Sequence, residues 1–321
     1  MQQIRRRLGV CAVLLLCSAA QAQPYPVKPV RIVVGFTAGG AVDVTARVLA
    51  ERLSPALGQQ VLVDNRAGSS GNIAAELVAK APPDGYTLHL GTYIMATSPS
   101  LFRKLAYDPV RDFAPISLTI VTPSVLIVHP SLPARDVKQF VQLAKAHPGK
   151  LNYSSAGIGA ASHLCGEIFN QMAGIRTNHV PYKGAVQAAT DLIGGHIEFT
   201  FSTILVAIPH AKSGRLRALG ITSATRNAQL PDVPTMAQSG YPEFVWNAWW
   251  GMFAPAGTPP AVVARLNGEI IKALERKDAR DLLTSQGMDV ETSTPAELGE
   301  RLKRDIGLYA DLIKRAGIQP E

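Results

Sequence analysis

The chain has 321 residues, with 32 lysines and arginines against 24 aspartates and glutamates. Outside an N-terminal leader there is no arginine-rich run interleaved with aromatic residues, so nucleic acid is not expected as a partner. The mild positive balance suits small anionic molecules. Only Cys165 lies beyond the leader, which excludes an internal disulfide. No group of His, Cys and carboxylate residues has metal-ligand spacing, and we expect no metal or other cofactor.

Residues 1–22 have the three parts of a secretory signal peptide. Arg5-Arg6-Arg7 are basic, residues 8–20 are apolar, and Ala20-Gln21-Ala22 is a cleavage site of the A-x-A type. The apolar run is too short to span a bilayer. We therefore expect cleavage near Ala22 and export of the mature chain to the periplasm. Cys17 leaves lipoprotein processing open, although the residue before it is larger than that processing usually accepts.

A strand, a glycine turn and a helix follow one another early in the mature chain. Residues 30–36 are apolar and β-branched, which is typical of a buried strand. Thr37-Ala38-Gly39-Gly40 ends this strand, and apolar residues then recur at helical spacing. Backbone N–H groups at the start of such a helix point outward, and the helix dipole favours negative charge there. The pattern predicts an anion-binding turn, and Asp43 suits the first turn of the helix.

A dinucleotide site is the competing interpretation of this turn. Asp64 ends the next strand-like run, about where an acid that binds a ribose would lie. The glycines, however, are Gly35, Gly39 and Gly40, which do not form the G-x-G-x-x-G pattern. An exported protein also lacks access to a cytoplasmic cofactor. We rank the dinucleotide interpretation low.

The next elements complete a first block of alternating strands and helices. In order, they are a strand at 61–66, a helix at 73–81 that Asn72 can cap, a strand at 86–92, a loop at 108–115, and two strand runs separated by Thr122-Pro123. Thr92 ends the third strand, at the same sheet edge as the glycine turn if the strands are parallel. Because a proline cannot donate to a central ladder, we interpret Thr122-Pro123 as a crossing between two domains.

A second block repeats the alternation. Its elements are a helix at 135–147, strands at 151–155, 178–182, 197–202 and 216–222, and helices at 162–173, 185–193 and 204–212. The strand at 151–155 runs into a glycine turn at 156–160 and then a helix, as in the first block. Two such turns, one per domain, could face each other across a cleft.

The last third of the chain returns to the first block. The segment 245–257 is interpreted as a second crossing, and Thr258 with Pro259 predicts the start of a helix. Thr294 and Glu297 form a capping box for the last helix. We therefore predict an α/β fold with mostly parallel sheets. The predicted units are a signal peptide at 1–22, domain 1 at 23–122 plus 246–321, and domain 2 at 123–245.

The chain resembles the periplasmic solute-binding proteins of tripartite tricarboxylate transporters, also called Bug-type receptors. The resemblance lies in the order and spacing of the segments YPVKPVRIVVGFTAGGAVDVTAR (25–47), VLVDNRAGSSGNIAAE (61–76), PDGYTL (83–88), YDPVRDFAPI (107–116), PGKLNYSSAGIGAASHLCGEIF (148–169), HVPYKGAVQAATDLIGG (179–195), GRLRALGITSATR (214–226), LPDVPT (230–235) and GMFAPAGTP (251–259). It implies a Venus-flytrap fold of two α/β domains joined by two crossings. Such receptors bind small carboxylates between the lobes, largely through backbone groups of two glycine loops and bound water, and deliver them to a membrane permease.

The resemblance also implies a set of ligand-binding residues. They are Phe36, Thr37, Ala38, Gly39, Gly40 and Asp43 in domain 1, Ser155, Ala156, Gly157, Gly159, Ala160, Ser162 and His163 in domain 2, and Thr92, Ser202 and Thr203 at other strand ends. The family commonly has prolines where Gly35 and Ala38 stand, and often a threonine at Ala160. We expect a looser first turn and one hydroxyl donor fewer, so the ligand need not be a small di- or tricarboxylate.

Several candidates have two interpretations. His163 could donate to a carboxylate or cap its helix, with about equal weight. His179 lies in a strand and is expected in the core or behind the ligand-binding residues. Lys183 is either part of a solvated turn or an ionic ligand contact. For Trp246, Trp249 and Trp250, core packing and hinge support are favoured over an aromatic wall for a ring-bearing ligand.

An enzyme is the alternative from another class. The chain has no G-x-S-x-G elbow, and its glycine turns lack a P-loop lysine. Ser154, Ser155 and His163 are close in sequence but have no evident acid partner. We expect a monomeric binding protein with a small organic acid as ligand and permease subunits as partners. A receptor that reports to a signalling partner instead is left open.

Overall fold

A computed structural model describes residues 25–182, 184–315 and 317–320. The predicted signal peptide at 1–22 and the candidate Lys183 lie outside the described residues. Within these ranges no helix is both long enough and apolar enough to cross a membrane.

The described chain alternates strands with helices, as the sequence predicts. The strands are β1 Val30–Val34, β2 Val61–Asn65, β3 Thr87–Thr92, β4 Phe113–Val128, β5 Asn152–Ser155, β6 Asn178–Pro181, β7 Phe199–Thr203, β8 Arg217–Ile221, β9 Asn247–Pro255 and β10 Asp289–Val290. The α-helices are α1 Ala41–Leu57, α2 Asn72–Ala79, α3 Ile94–Leu101, α4 Val137–Ala146, α5 Ala161–Ala173, α6 Ala185–Ile193, α7 Ile204–Lys212, α8 Pro260–Glu275, α9 Lys277–Ser285 and α10 Pro295–Arg315.

The strands form two parallel groups that antiparallel strands connect. The order across the sheet is β2-β1-β3-β9-β4-β7-β5-β6. β1 pairs in parallel with β2 and β3, and β5 pairs in parallel with β6 and β7. We call the part around β1–β3 lobe 1 and the part around β5–β7 lobe 2. This architecture confirms the predicted α/β fold class.

Strand β4 belongs to both lobes. It pairs with β9 as far as Pro123, and from Ser124 onward it pairs with β7. The prediction of two strand runs broken at Thr122-Pro123 is therefore wrong, because the strand continues through the proline. The proline is tolerated because the strand changes partners there. The N–H of Ser124 donates to the hydroxyl of Thr222 at 2.9 Å.

Thr222 also ties this crossing to the returning chain. Its hydroxyl donates to the carbonyl of Trp246 at 2.6 Å, and its own carbonyl accepts from the Trp246 N–H at 2.9 Å. The side chain is fully buried. One threonine thus joins the two segments that pass between the lobes. The domain boundaries at 122/123 and 245/246 stay a prediction.

Two predicted helix starts differ in the structure. Asn72 does not cap its helix, since it lies inside α2, and its side-chain oxygen accepts hydrogen bonds from Ser98 and Tyr107. Thr258 donates to the carbonyl of Pro255 rather than capping α8. The capping box of α10 is confirmed, because Thr294 and Glu297 exchange backbone-to-side-chain hydrogen bonds of 2.8 and 3.2 Å.

Candidate functional site

The carboxyl ends of the parallel strands gather the candidate residues at one edge of each lobe. In lobe 1 the first glycine loop (residues 35–40) follows β1, Asn65 ends β2 and Thr92 ends β3. In lobe 2 the second glycine loop (residues 156–160) follows β5, and Thr203 ends β7. Ligands of parallel α/β sheets bind beyond such edges.

The two edges face each other. Helix α3 follows β3 in lobe 1, and its Leu101 packs against Gly159 of the second glycine loop so closely that a Cβ on Gly159 would overlap the Leu101 methyl group. Tyr93, which directly precedes α3, packs edge-on against Trp246 with 5.4 Å between ring centroids. The second glycine loop therefore lies in contact with lobe 1.

Asp43 holds the first glycine loop in shape. One carboxylate oxygen accepts from the N–H of Gly39 and from Nε of Arg47, both at 2.9 Å. The other oxygen accepts from the side-chain amide of Asn65 at 3.0 Å. Asn65 also donates to the carbonyl of Phe36 at 3.0 Å. Gly39 has a φ of +86°, which only glycine adopts readily.

The environment of Asp43 keeps it ionised. The residue is only 2% exposed. Burial by itself raises the pKa of its carboxyl, but hydrogen bonds from Arg47, Gly39 and Asn65 outweigh burial, so the net pKa lies below its usual value. Since these groups engage both oxygens, Asp43 shapes the loop. Its place among the ligand contacts stays a prediction.

Gly35 stands where the family commonly has a proline, and the sequence predicts that it loosens the first turn. The structure gives it a different role. A Cβ on Gly35 would lie 2.5 Å from Cα of Gly71, so the missing side chain allows the turn at 68–71 to approach the first glycine loop. The ring of Phe36 packs on the same glycine. The turn at 68–71 thus packs against the first glycine loop at Gly35 and Phe36.

Asp64, the acid of the dinucleotide interpretation, has local partners. Its carboxylate pairs with Arg66 at 2.9 Å and with Arg31 at 3.4 Å. These contacts account for the residue structurally. They add nothing in favour of a ribose-binding role.

Side chains of α5 hold the second glycine loop in the same way. The N–H of Gly159 donates to Nδ1 of His163 at 3.1 Å, and the N–H of Ala156 donates to the hydroxyl of Ser162 at 2.9 Å. Gly157 and Gly159 have φ values of +131° and +73°. Both angles favour glycine, so the loop needs these two residues.

His163 lies in a stack of rings beneath the second glycine loop. Its ring is nearly parallel to that of His179, with 3.9 Å between the ring centroids. The ring of Tyr153 stacks on His179 in turn, with 4.9 Å between the centroids. Nε2 of His179 is 2.6 Å from the hydroxyl of Ser155. His179 thus contacts the last residue of β5, and its place behind the ligand-binding residues stays a prediction.

Both imidazoles are neutral at neutral pH. Burial, together with the neighbouring His179, lowers the pKa of His163 to about 3, and burial lowers the pKa of His179 to about 4. Because the Gly159 N–H donates to Nδ1 of His163, that nitrogen carries no proton, and the neutral ring carries its proton on Nε2. The Nε2–H donates to none of the described residues. His163 therefore holds the loop before α5 and accepts from no N–H of the helix itself, whose N-cap residue is Ala160. Donation to a ligand stays a prediction.

The remaining candidates end strands or start helices. Thr92 is buried and its hydroxyl accepts from the N–H of Ile94 at 3.2 Å. Ser202 is buried and Thr203 immediately precedes α7. The first N–H groups of α1 and α5 have no acceptor within their own helices. These groups are the ones that the predicted anion site uses.

The three tryptophans are at least nine-tenths buried, which agrees with core packing and hinge support. Trp249 donates from Nε1 to Asp305 at 2.8 Å and anchors α10 to the sheet. Over the described ranges no cluster of three or more His, Cys, Asp or Glu side chains could hold a metal ion.

Sequence reasoning missed Asn65 and Leu101. Asn65 could have been found, since it ends the strand beside β1 and therefore lies at the predicted ligand edge. Leu101 gave no comparable signal, because α3 was not predicted and the contact joins residues far apart in the chain.

The fold and the two facing edges define a two-lobe α/β binding protein. A family model described as "Tripartite tricarboxylate transporter family receptor" matches residues 45–317. Protein BugT of Bordetella pertussis is 36% identical over 318 residues, which cover 97% of this chain and 98% of BugT. The chain belongs to the tripartite tricarboxylate transporter receptor family.

Solved structures of relatives agree with this assignment. Rpa4515 of R. palustris with adipate is 34% identical, has a TM-score of 0.85, and matches over 92% of this chain and 100% of its own. MatC from Rhodopseudomonas palustris with bound malate is 33% identical, has a TM-score of 0.80, and matches over 90% of this chain and 100% of its own. The family is one of transporter receptors, so the chain is a receptor and not an enzyme.

Proposed function

We propose that this chain is an exported, monomeric receptor that closes its lobes around a small organic carboxylate and delivers it to the permease subunits of a tripartite tricarboxylate transporter. One observation carries the proposal. Each lobe has a strand, a glycine loop and a helix at its ligand edge, and the two edges face each other through Leu101 and Gly159. A ligand bound between the edges can therefore contact the N-termini of both α1 and α5.

The chemistry of the two loops suits a carboxylate. Unpaired N–H groups at a helix start, together with the helix dipole, stabilise negative charge. Neither glycine loop contains a lysine or arginine, so backbone donors supply the attraction. Lys183, beyond β6, is the candidate for an added ionic contact. A ligand that touches both lobes stabilises their closed arrangement over any open one.

The relatives support the carboxylate class but leave the ligand of this chain open. Adipate and malate are the ligands in the structures of Rpa4515 and MatC. This chain has Ala38 and Ala160 in its loops, and neither side chain can donate a hydrogen bond. We therefore propose a carboxylate that the loops hold by backbone groups, with its remaining part selected by the apolar side chains around them.

The proposed location is the periplasm. Cleavage near Ala22 would release the mature chain there, whereas lipid attachment at Cys17 would anchor it to a membrane. Mass spectrometry of the protein purified from a periplasmic extract distinguishes the two. A mature chain that begins at Gln23 is expected.

A thermal-shift screen of organic acids tests the ligand class. Each acid is paired with its amide, which keeps the shape and removes the charge. An acid present at 100 times its Kd stabilises the folded state by about 2.7 kcal/mol, which gives a visible shift. We expect the shift with the acid and its loss with the amide. Equal shifts with both members of every responding pair would contradict carboxylate recognition.

A further inference from the structure

The turn at 68–71 packs against the first glycine loop and has a strained backbone. Its four residues all have positive φ, with +142° at Gly68, +45° at Ser69, +54° at Ser70 and +93° at Gly71. Glycine adopts such angles readily, but the left-handed region is unfavourable for the two serines. A conformation of this kind persists only where the surrounding structure imposes it. The turn therefore depends on the contacts of the residues beside it.

Asn72, directly after this turn, supplies such contacts. Its Oδ1 accepts from the hydroxyl of Ser98 at 2.9 Å and from that of Tyr107 at 2.7 Å. All three residues are more than nine-tenths buried. The two bonds tie the turn to α3 and to the chain that follows this helix.

The nitrogen of the same side-chain amide is not used. Nδ2 of Asn72 is shielded from solvent and has no hydrogen-bond partner among the described residues. Turning the amide over would exchange its nitrogen and oxygen and would again leave one polar atom unpaired. Because an unpaired buried amide is costly, a further polar group is expected to bind it.

A small cavity borders Asn72. Its wall includes Phe36 of the first glycine loop, Gly71 of the turn, and His89 and Thr92 of β3. The volume open to the centre of a water-sized sphere is about 10 Å³. This space is enough for one water molecule and too small for an organic acid.

His89 offers an acceptor in the same wall. Its Nδ1 lies 3.1 Å from the carbonyl of Val33, and since a carbonyl only accepts, Nδ1 carries a proton. Burial lowers the pKa of His89 to about 4, so the ring is neutral at neutral pH and Nε2 has a free lone pair. The wall thus combines an unpaired donor, Nδ2 of Asn72, with an acceptor. A water molecule can bind both.

We propose that one buried water molecule occupies this cavity, accepts from Nδ2 of Asn72 and donates to Nε2 of His89. The water completes the set of bonds through which Asn72 holds the strained turn against the first glycine loop. Its partners are buried side chains of lobe 1, so it binds whether or not a ligand is present. The site is therefore part of the fold of lobe 1, and its failure would leave the receptor function intact.

A crystal structure of the chain without residues 1–22 is the direct test. It is determined without added ligand and at a resolution that shows ordered water. We expect one water peak within hydrogen-bond distance of both Nδ2 of Asn72 and Nε2 of His89. An empty cavity, or a protein group bonded to Nδ2 of Asn72, would overturn the proposal.

Two variants of Ala75 test the site in solution. Ala75 lies about one helical turn after Asn72 and lines the same cavity. Ala75→Thr and Ala75→Val add side chains of nearly equal volume that displace the water, so the cost of overpacking cancels when the two are compared. Only threonine brings an oxygen that can accept from Nδ2 of Asn72. In urea denaturation we expect Ala75→Thr to be at least as stable as Ala75→Val.

Val78→Thr is the matched control. Val78 lies on the same helix, is fully buried and is not part of the cavity wall. A threonine hydroxyl in a helix can also bond to a preceding backbone carbonyl, and this control includes that general effect. Exchanging valine for threonine at position 78 should lower the equilibrium constant for folding roughly tenfold, and at position 75 it should not. The same change at both positions would show that the cavity is dry and would overturn the proposal.

Discussion

Leu101 of lobe 1 fills the place where a side chain at Gly159 of lobe 2 would lie. The two residues belong to different lobes, and Gly159 is the residue whose N–H His163 holds. A change in the second glycine loop therefore acts directly on a contact between the lobes. We propose that this contact is a route by which ligand binding at the second glycine loop acts on the packing between the lobes.

Leu101→Ala tests this route. Leu101 is 3% exposed, and its truncation is expected to lower the free energy of unfolding by about 2–5 kcal/mol. It should also weaken ligand binding roughly tenfold, equivalent to about 1.4 kcal/mol, because the second glycine loop loses a contact with lobe 1. Urea denaturation and calorimetric titration with the best acid from the screen measure the two effects.

Leu53→Ala is the matched control. Leu53 is a fully buried leucine of lobe 1, on α1. Its truncation should cost similar stability and leave the affinity unchanged. Equal affinity losses in the two variants would show that binding responds to general destabilisation and not to the contact with Gly159.

Changing Gly39, just before α1, is expected to lower both ligand affinity and stability, whereas changing Gly58, just after α1, is expected to lower stability alone. Gly39 has a φ of +86° and Gly58 a φ of +68°, and a Cβ at either meets no atom within 4 Å. Each change to alanine therefore costs about 1–2 kcal/mol through backbone strain. Only Gly39→Ala should weaken ligand binding, because it tilts the N–H groups of the first glycine loop. Comparable affinities in Gly39→Ala and Gly58→Ala would argue against that loop as a ligand contact.

Gly157→Ala and Gly174→Ala repeat the comparison in lobe 2. Gly157 lies in the second glycine loop with a φ of +131°, and Gly174 ends α5 with a φ of +60°. Calorimetric titration should find a loss of affinity in Gly157→Ala alone. Wild-type affinity in Gly157→Ala would remove this residue from the predicted site.

Local sequence patterns were enough to predict the two glycine loops. The features that they did not predict depend on which strands pair in the folded protein. The strand, glycine and helix units at residues 30–57 and 151–173 follow from periodicity and glycine placement, which are properties of short segments. Pro123 was interpreted as a strand break because the sequence does not reveal that β4 exchanges β9 for β7 at this residue. Because proline has no backbone N–H, it leaves no donor unpaired at the point where the strand changes partners.

The supporting contacts of the site were harder to predict than the loops. Asn65 binds Asp43 and the Phe36 carbonyl, and these bonds depend on the register between β1 and β2. The pairing of His163 with His179 joins α5 to β6 and depends on lobe 2 packing. Sequence spacing alone fixes neither relationship.

Acid is expected to destabilise the protein through two buried imidazoles, His89 and His163, and a partly buried one, His179. Burial lowers the pKa of His89 and of His179 to about 4 and that of His163 to about 3. An unfolded histidine titrates near pH 6.5, so between that pH and the folded pKa the unfolded state binds more protons. The free energy of unfolding should therefore fall as pH drops from 6.5 toward 3, by up to about 1.4 kcal/mol per pH unit for each histidine.

Urea denaturation at pH 7, 6, 5 and 4 measures this dependence. Carboxylates also titrate in part of this range, so the informative quantity is the difference between the wild type and His163→Asn. Between pH 6 and 4 the free energy of unfolding of the variant should fall less steeply than that of the wild type. The difference in slope should correspond to the uptake of one proton. Parallel curves would show that the folded His163 titrates like an unfolded one.

Ligand affinity should be nearly independent of pH between 8 and 5. His163 and His179 stay neutral across this range because their pKa values lie at about 3 and 4, and Asp43 stays ionised because its pKa is below its usual value. A strong acid such as a sulfonate analogue keeps the charge of the ligand constant as well. Calorimetric titrations at pH 8, 7, 6 and 5 should give Kd values within a factor of about two. An affinity that rises tenfold on acidification would mean that an imidazolium binds the anion, and would replace the neutral Nε2–H donor with an ion pair.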